Sequence, residues 1–441
     1  MRIVAIASLL LLSTVGWVVP ERVEARDLSA RLDGLFGKGG IRLQVDNPDF
    51  PPHQAHFTSA SLETLGLLAG QLAPSAADFP ALSTTPGFTF RYNAEIQAFE
   101  RSSGTLGPVY VERPQTLGRG KLDFGVSYLS VDFQELGGKS LDKQRFTLEH
   151  GDCCNPVNNP PKPGDPFFEG DTIDLAFKTF ELRSHVVSFF TTYGITDDWD
   201  VNILLPVVIT AMKLEARAKI NNSASIPRVP PRGIHFFEGR LTDAFRSQDD
   251  DKVGVGDIQL RTKYHLFGAG GFNAGAGLAL RLPTGDENNF QGLGDFTLSP
   301  LLALSYEYGP VDFHTNGGFQ LNFDDSDRSR VRYAGGVTIR LLEEVALLAD
   351  IIGSSSLKSD RISRRVTETL TGPPPNFPLT EQDRIVSKSF KTNIVDLNVG
   401  FKATPFGANR SVVAFATVFI PLNNDGLRAD FIPAVGVEVG F

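Results

Sequence analysis

The sequence predicts an all-β fold: a closed antiparallel barrel of about 12 strands that crosses a membrane. Three observations predict it. From Lys121 onward, apolar side chains recur at every second position in runs of about ten to fifteen residues, which suits a tilted strand crossing a hydrocarbon layer of about 30 Å. Short turns and long loops alternate between these runs, so all the short connections fall at one end. Beyond the N-terminal leader, no stretch reaches about 18 uninterrupted apolar residues, and a membrane crossing must therefore be made by strands.

Met1-Arg2 is a short positive segment, Ile3 to Val19 is apolar or small, and Val23-Glu24-Ala25 offers small side chains before a cut after Ala25. Residues 1–25 read as a secretory signal peptide, because the apolar run is short and no stop-transfer charges follow. Mean hydropathy is near zero, as expected when each strand is apolar on one face only. Gly (43) and Phe (34) are abundant, while Met and Trp occur twice each. The net charge of -9, with no basic stripe, argues against nucleic acid as a partner. The two cysteines, Cys153 and Cys154, are adjacent. They form no Cys-x-x-Cys spacing, and a vicinal disulfide, a pair between chains and free thiols all stay open.

Residues 26 to about 87 keep no steady period. Ser59 reads as a helix cap, Leu62, Leu65, Leu67, Leu68 and Leu72 as its apolar stripe, and Pro74 as its end. Phe88 to Gln97 alternates as a strand, Arg101 to Gly104 is turn material, and Gly107 to Pro114 is a second, shorter strand candidate. Counting these two in the wall gives a 14-strand alternative.

The wall strands then follow: Lys121 to Phe133, Thr172 to Thr191, Trp199 to Ile209, Ile258 to Leu266, Phe272 to Leu282, Phe296 to Tyr308, Val311 to Phe323, Val331 to Leu341, Val345 to Ile352, Asn393 to Thr404, Ser411 to Leu422 and Phe431 to Phe441. The alternation breaks near Lys178 and Thr179, which predicts a bulge. Short turns are expected at Gly194, Gly268, Gly309, Leu342 and Pro405-Phe406-Gly407. Longer loops are expected over 134–171, 213–253, 284–293, 324–330, 357–388 and 423–430.

In the last run, Phe431, Pro433, Val435, Val437, Val439 and Phe441 share one face, while Ile432, Ala434, Gly436, Glu438 and Gly440 share the other. This resembles the closing strand of a bacterial outer-membrane barrel, where a terminal aromatic and its alternating partners are the signal read by the barrel-assembly machinery. A soluble edge strand carries the same pattern, but a sandwich does not require the alternation of turn lengths. The resemblance implies location in the bacterial outer membrane, contact with its lipid, periplasmic short turns and surface-exposed long loops. Residues 26–119 then form an N-terminal plug or periplasmic segment, and 120–441 the barrel. The strand pattern sets no oligomeric state.

Gly254-Val-Gly-Asp-Ile-Gln-Leu260 recurs as Gly292-Leu-Gly-Asp-Phe-Thr-Leu298. A dinucleotide loop needs a strand before the glycines and a helix after them, whereas here a strand follows. No cofactor is implied. With Leu280-Arg-Leu-Pro-Thr-Gly-Asp286 and Gly194-Ile-Thr-Asp-Asp-Trp-Asp-Val201, these motifs resemble the outer-membrane β-barrel family of transporters assigned to the meta-pathway of phenol degradation. The family is related to channels for fatty acids and aromatic hydrocarbons. The resemblance implies a porin-like channel for passive uptake of small hydrophobic or aromatic compounds.

The alternation places Asp257, Arg261, Lys263, His265, Arg281, Asp312, His314, Arg332, Arg340, Asp350, Asp396, Lys402 and Glu438 on the inward face as candidate lumen-lining residues. Buried charges need partners, so a mutually paired network and a solute path are both compatible with them. A surface phospholipase would need Ser and His on the lipid face. His265 and His314 point inward, the face of His185 is left open by the break nearby, and no Gly-x-Ser-x-Gly elbow occurs. No catalytic residue is expected, and neither His53 with His56 nor Asp324-Asp325 makes a metal site. The alternative to a channel is a non-conducting barrel whose surface loops bind a partner or serve a structural role.

Overall fold

In a computed structural model of the chain, the described residues are 27–36, 41, 64–85, 87, 89–93, 97–101, 105–149, 172–221, 236–237, 239, 241–357, 363–370, 380–387, 393–406 and 412–441. The signal peptide, the histidines His53 and His56, the Ser59 cap with Leu62, and Cys153 with Cys154 lie outside them.

Twelve strands close an antiparallel barrel. They are β1 (Leu122–Leu136), β2 (Thr172–Thr196), β3 (Trp199–Asn221), β4 (Gln259–Ala269), β5 (Phe272–Arg281), β6 (Thr297–Tyr308), β7 (Val311–Asn322), β8 (Arg330–Leu342), β9 (Val345–Ser356), β10 (Asn393–Ala403), β11 (Val412–Pro421) and β12 (Ile432–Gly440). β1 closes the ring by pairing with both β2 and β12. The two early strand candidates are not part of this wall. Phe90–Asn93 and Ala98–Arg101 pair only with each other, with Gln97 at positive φ in their turn, and Gly107 to Pro114 is not a strand.

The outer face is apolar. Phe124, Trp199, Ile203, Leu260, Tyr264, Phe313, Phe401, Val435 and Phe441 are all exposed. A belt of this extent is stable only against lipid. The last strand supplies its share: Val435 and Val437 point out, while Glu438 is buried. Phe441 ends beside the start of β1, its N–H donating to the Leu122 carbonyl at 2.7 Å.

Several connections differ from expectation. β2 and β3 are 25 and 23 residues long, and they continue well past the lipid-facing portion. Much of the region expected as a loop over 213–253 is instead paired: β3 runs to Asn221, and Asp243–Val255 pairs back onto Val207 to Lys219. Arg145–Glu149 lines up on β2, and Ser363–Leu370 pairs with Thr380–Ser387 inside the 357–388 connection. The break expected near Lys178 is a register shift between Phe177 and Thr179. The first turn lies at Asp197-Asp198, so Gly194 is still in β2.

Two helices cover the inner face of this raised sheet: α1 (Leu28–Asp33) and α2 (Thr64–Ala76). Leu28, Leu32, Leu65, Leu68, Leu72 and Ala76 pack in one core with Leu182, Met212, Leu214, Ala216, Ala218 and Ile220. Pro74 does not end α2 but sits in its last turn, two residues before the end. Proline forfeits one helix hydrogen bond there, while Leu72 and Ala76 on either side are fully buried and hold the turn in place. Arg31 pairs with Asp250 at 2.6 Å, and the Leu28 N–H donates to Asn289 at 3.1 Å. Both helices therefore sit at the mouth, on the long-loop side.

Candidate functional site

From Ala77 onward the chain enters the barrel and descends toward the short turns. At the top, Asp78 is clamped between cations from the wall. Arg332 reaches it at 2.7 and 2.9 Å, and Arg281 at 3.4 Å. Burial alone would raise this carboxyl, but the guanidinium groups of Arg332, Arg330 and Arg281 outweigh it and hold Asp78 at about 2. Further down, Glu112 receives Lys263 at 2.9 Å, the Thr84 N–H at 2.9 Å and the Ser83 hydroxyl at 3.1 Å. Asn316 holds the backbone of Glu112 from β7, accepting from its N–H at 2.6 Å. Lys402 donates to the carbonyls of Leu106 and Pro108 at 3.0 and 2.8 Å. At the far end Asp200 accepts the Leu117 N–H at 2.8 Å, and Asp197 accepts the Arg119 N–H at 3.2 Å.

The inward candidates divide by level. Asp257, Arg281 and Arg332 gather near the mouth, where Arg281 bridges Asp257 at 2.9 Å and Asp78. Arg261, Lys263, Asp312 and Lys402 grip the threaded segment; Thr105 donates to Asp312 at 3.4 Å. His314 and Asp350 pair with each other at 2.7 Å, both wholly buried. Glu438 is buried against Gly87, which has no room for a side chain: a Cβ there would lie 2.4 Å from the carboxylate. Asp396 pairs with Arg428 at the surface end. His265 sits near the short-turn rim, 3.3 Å from Asp198, and Arg340 is exposed at that rim.

Asp123, Asp200, Asn202, Asn316 and Asn398 are buried or half-buried inward groups that the sequence reading passed over, although the same alternation marks them. For Asp78 no periodic signal exists, and the alternation around Glu112 belongs to a stretch that does not form a strand. His185 lies on the outer face, where its Nδ1 is 2.8 Å from the Tyr128 hydroxyl and 3.2 Å from that of Ser130.

Beside the threaded segment is a cavity of about 190 Å³. Its walls are mixed: Phe79, Leu82, Tyr110, Leu301 and Ile352 line it together with Arg261, Lys263, Arg281 and Arg332. It abuts an interruption in the β6–β7 ladder. β6 and β7 pair at Leu298–Leu321 and again at Leu301–Gly318, in the same register, but Ser299 and Pro300, which pair with Ala279 and Leu278 on β5, have no β7 partner in between. Pro300 has no N–H to give, and the stretch facing it, Phe319-Gln320, which pairs on its other side with Val331 and Arg330 of β8, follows Gly317-Gly318. Ser299, Pro300, Gly317, Gly318, Phe319 and Gln320 all line the cavity.

Residues 168–341, from just before β2 to the penultimate residue of β8, match the family described as "Putative MetA-pathway of phenol degradation". That is the family the motifs resemble. The match is narrower than the whole barrel, yet it contains all the motifs quoted for the resemblance. No curated protein matches the sequence. Among solved structures, an outer-membrane channel from Pseudomonas putida F1 is similar at 13% identity and a TM-score of 0.42, over 74% of this chain and 97% of that one. The toluene transporter TbuX from Ralstonia pickettii is similar at 11% identity and a TM-score of 0.28, over 77% and 96%. The closed ring and its apolar belt make the chain a bacterial outer-membrane β-barrel.

Proposed function

We propose that the barrel is an outer-membrane channel for passive uptake of small hydrophobic or aromatic compounds, with residues 26–119 serving as a plug. The observation that carries this reading is the cavity beside the Ser299-Pro300 stretch, where the β6–β7 ladder is interrupted. A solute that enters the cavity from the mouth has a sideways route between β6 and β7 toward lipid, without crossing the polar contacts below. An apolar solute favours that exit, since it never has to displace the Lys263–Glu112 pair. No catalytic step is assigned. The related transporter from Ralstonia pickettii is named for toluene, a solute of the class proposed.

The second reading, a barrel that conducts nothing, draws on the same threaded segment, because the contacts of residues 77–119 occupy the lumen at several levels. Cross-linking separates the two. Ser299 and Gln320 share the register of the flanking pairs, so Ser299→Cys with Gln320→Cys, in a background with both native cysteines replaced by Ser, places two thiols across the break. Toluene uptake into proteoliposomes should be fast when the pair is reduced and slow when it is oxidised. Uptake that ignores the cross-link overturns the sideways route. No uptake in either state favours the non-conducting barrel.

A further inference from the structure

The cavity is not uniformly apolar, and its charged lining is unevenly matched. Four cations line it against two carboxylates, Asp78 and Glu112. Lys263 is paired with Glu112, Arg332 with Asp78, and Arg281 with both Asp78 and Asp257. Arg261 differs. Its Nε donates to Asn202 at 2.9 Å and its Nη1 to the Leu82 carbonyl. Its Nη2 is buried with no hydrogen-bond partner, and among the described residues no carboxylate lies within ion-pair distance of it. A guanidinium taken out of water with one donor unmet carries a desolvation cost that an incoming acceptor would relieve.

The rest of the cavity lining supplies a complementary surface. Phe79, Leu82, Tyr110, Leu301 and Ile352 present apolar or ring surface, and a dry cavity of about 150 Å³ lined by such residues holds a benzene ring. The volume here, about 190 Å³, leaves room for one ring and one oxygen function. The interruption in the ladder lies at the third and fourth residues of β6, close to its surface end. A molecule leaving there can turn its ring toward lipid while its polar end still faces the cavity.

We propose that the cavity selects single-ring aromatic compounds carrying an oxygen acceptor, a carboxylate or a hydroxyl oxygen, and that Arg261 is the residue that selects them. This rests on the channel reading above. The ring lies against Tyr110, Leu301 and Ile352, and a small turn of the Arg261 side chain gives Nη2 to the acceptor. A bare hydrocarbon fits the apolar lining but leaves that donor unmet.

The test uses the full chain in proteoliposomes with three probes: benzoate, benzyl alcohol and toluene. In the unaltered protein the two oxygen-bearing probes should enter faster than toluene relative to protein-free vesicles. Arg261→Gln should lower the benzoate-to-toluene flux ratio by about tenfold or more, the size of a lost hydrogen bond to a charged group, and Arg261→Lys should fall between. A larger drop for benzoate than for benzyl alcohol identifies the anion as the preferred form; equal drops identify the neutral acceptor. If the variant fails to form a heat-modifiable barrel, the unaltered protein decides, since benzoate should raise its unfolding temperature more than toluene at equal concentration. A ratio unchanged by both substitutions, or equal protection by both probes, overturns the selection by Arg261 while toluene entry leaves the channel standing. Entry of none of the three probes overturns the channel itself.

Discussion

Lys263 Nζ lies 2.9 Å from Glu112 Oε1, joining β4 to the threaded segment across a distance of 151 residues in sequence. The lysine is almost wholly buried, and the same nitrogen donates to the Thr85 hydroxyl at 2.6 Å. Removing one partner strands the other charge inside the barrel, which costs about 3–5 kcal/mol. Lys263→Met and Glu112→Gln should each lower the temperature at which the folded barrel converts to the unfolded band on a gel. The double variant Lys263→Met with Glu112→Leu should recover part of the loss, because no charge is left unpaired. Equal, additive losses would show that the pair does not anchor the segment.

Asp78 supplies the pH dependence of the mouth. Its carboxyl is held at about 2, below its ordinary 3.8, by Arg332, Arg330 and Arg281 acting against burial. A depressed value means that the stabilisation is complete above the ordinary carboxylate range and is lost as pH falls through about 2. A fluorescent label on Ser75→Cys, in a background without the native cysteines, should become more open to aqueous quencher between pH 4 and pH 2. Asp78→Asn should show the same opening at neutral pH. Quenching that is flat across that range and unaltered in the variant would remove Asp78 as the clasp.

The wall was readable because lipid outside and polar contacts inside impose one period on twelve strands. Reading stopped where that contrast reverses. In β3 the outward residues Val201, Ile203, Leu205, Val207, Ile209 and Ala211 are apolar, and the next outward ones, Lys213, Glu215, Arg217 and Lys219, are charged. The inward set changes in the opposite sense, from Asp200 and Asn202 to Met212, Leu214, Ala216, Ala218 and Ile220. The strand has left the membrane, so water lies outside it and the leucines of α1 and α2 inside. A reading that follows one apolar face ends the strand at Ile209, although the pairing continues to Asn221. The cavity was invisible for a different reason: Asp78 belongs to a segment with no period, Tyr110 and Glu112 to a stretch that reads as a short strand and is not one, and only the fold brings them to Arg261 and Leu301.

The closing strand carries a prediction about assembly. Phe441 is exposed at the end of the chain, and Phe431, Val435 and Val437 share its outward face. We propose that this face is what the barrel-assembly machinery reads. Phe441→Ser should slow insertion into vesicles containing purified assembly machinery, while spontaneous folding into detergent changes little. Equal slowing in both settings would make Phe441 a packing residue instead.

Leu72 tests whether the mouth helices restrain uptake. Its side chain is fully buried in the core that joins α2 to Met212, Leu214 and Ala216 on β3. Leu72→Asp puts an unpaired carboxylate into that core, and the burial cost exceeds what the contacts of one short helix return. The wall below is untouched, since its ring is closed by strand pairing that does not involve α2. The barrel should therefore still migrate as a folded species, with α2 newly sensitive to added protease and toluene entry into proteoliposomes increased. If protease cuts α2 and entry stays the same, the helices cover the mouth without limiting passage, and the restraint lies lower, at the Lys263–Glu112 level.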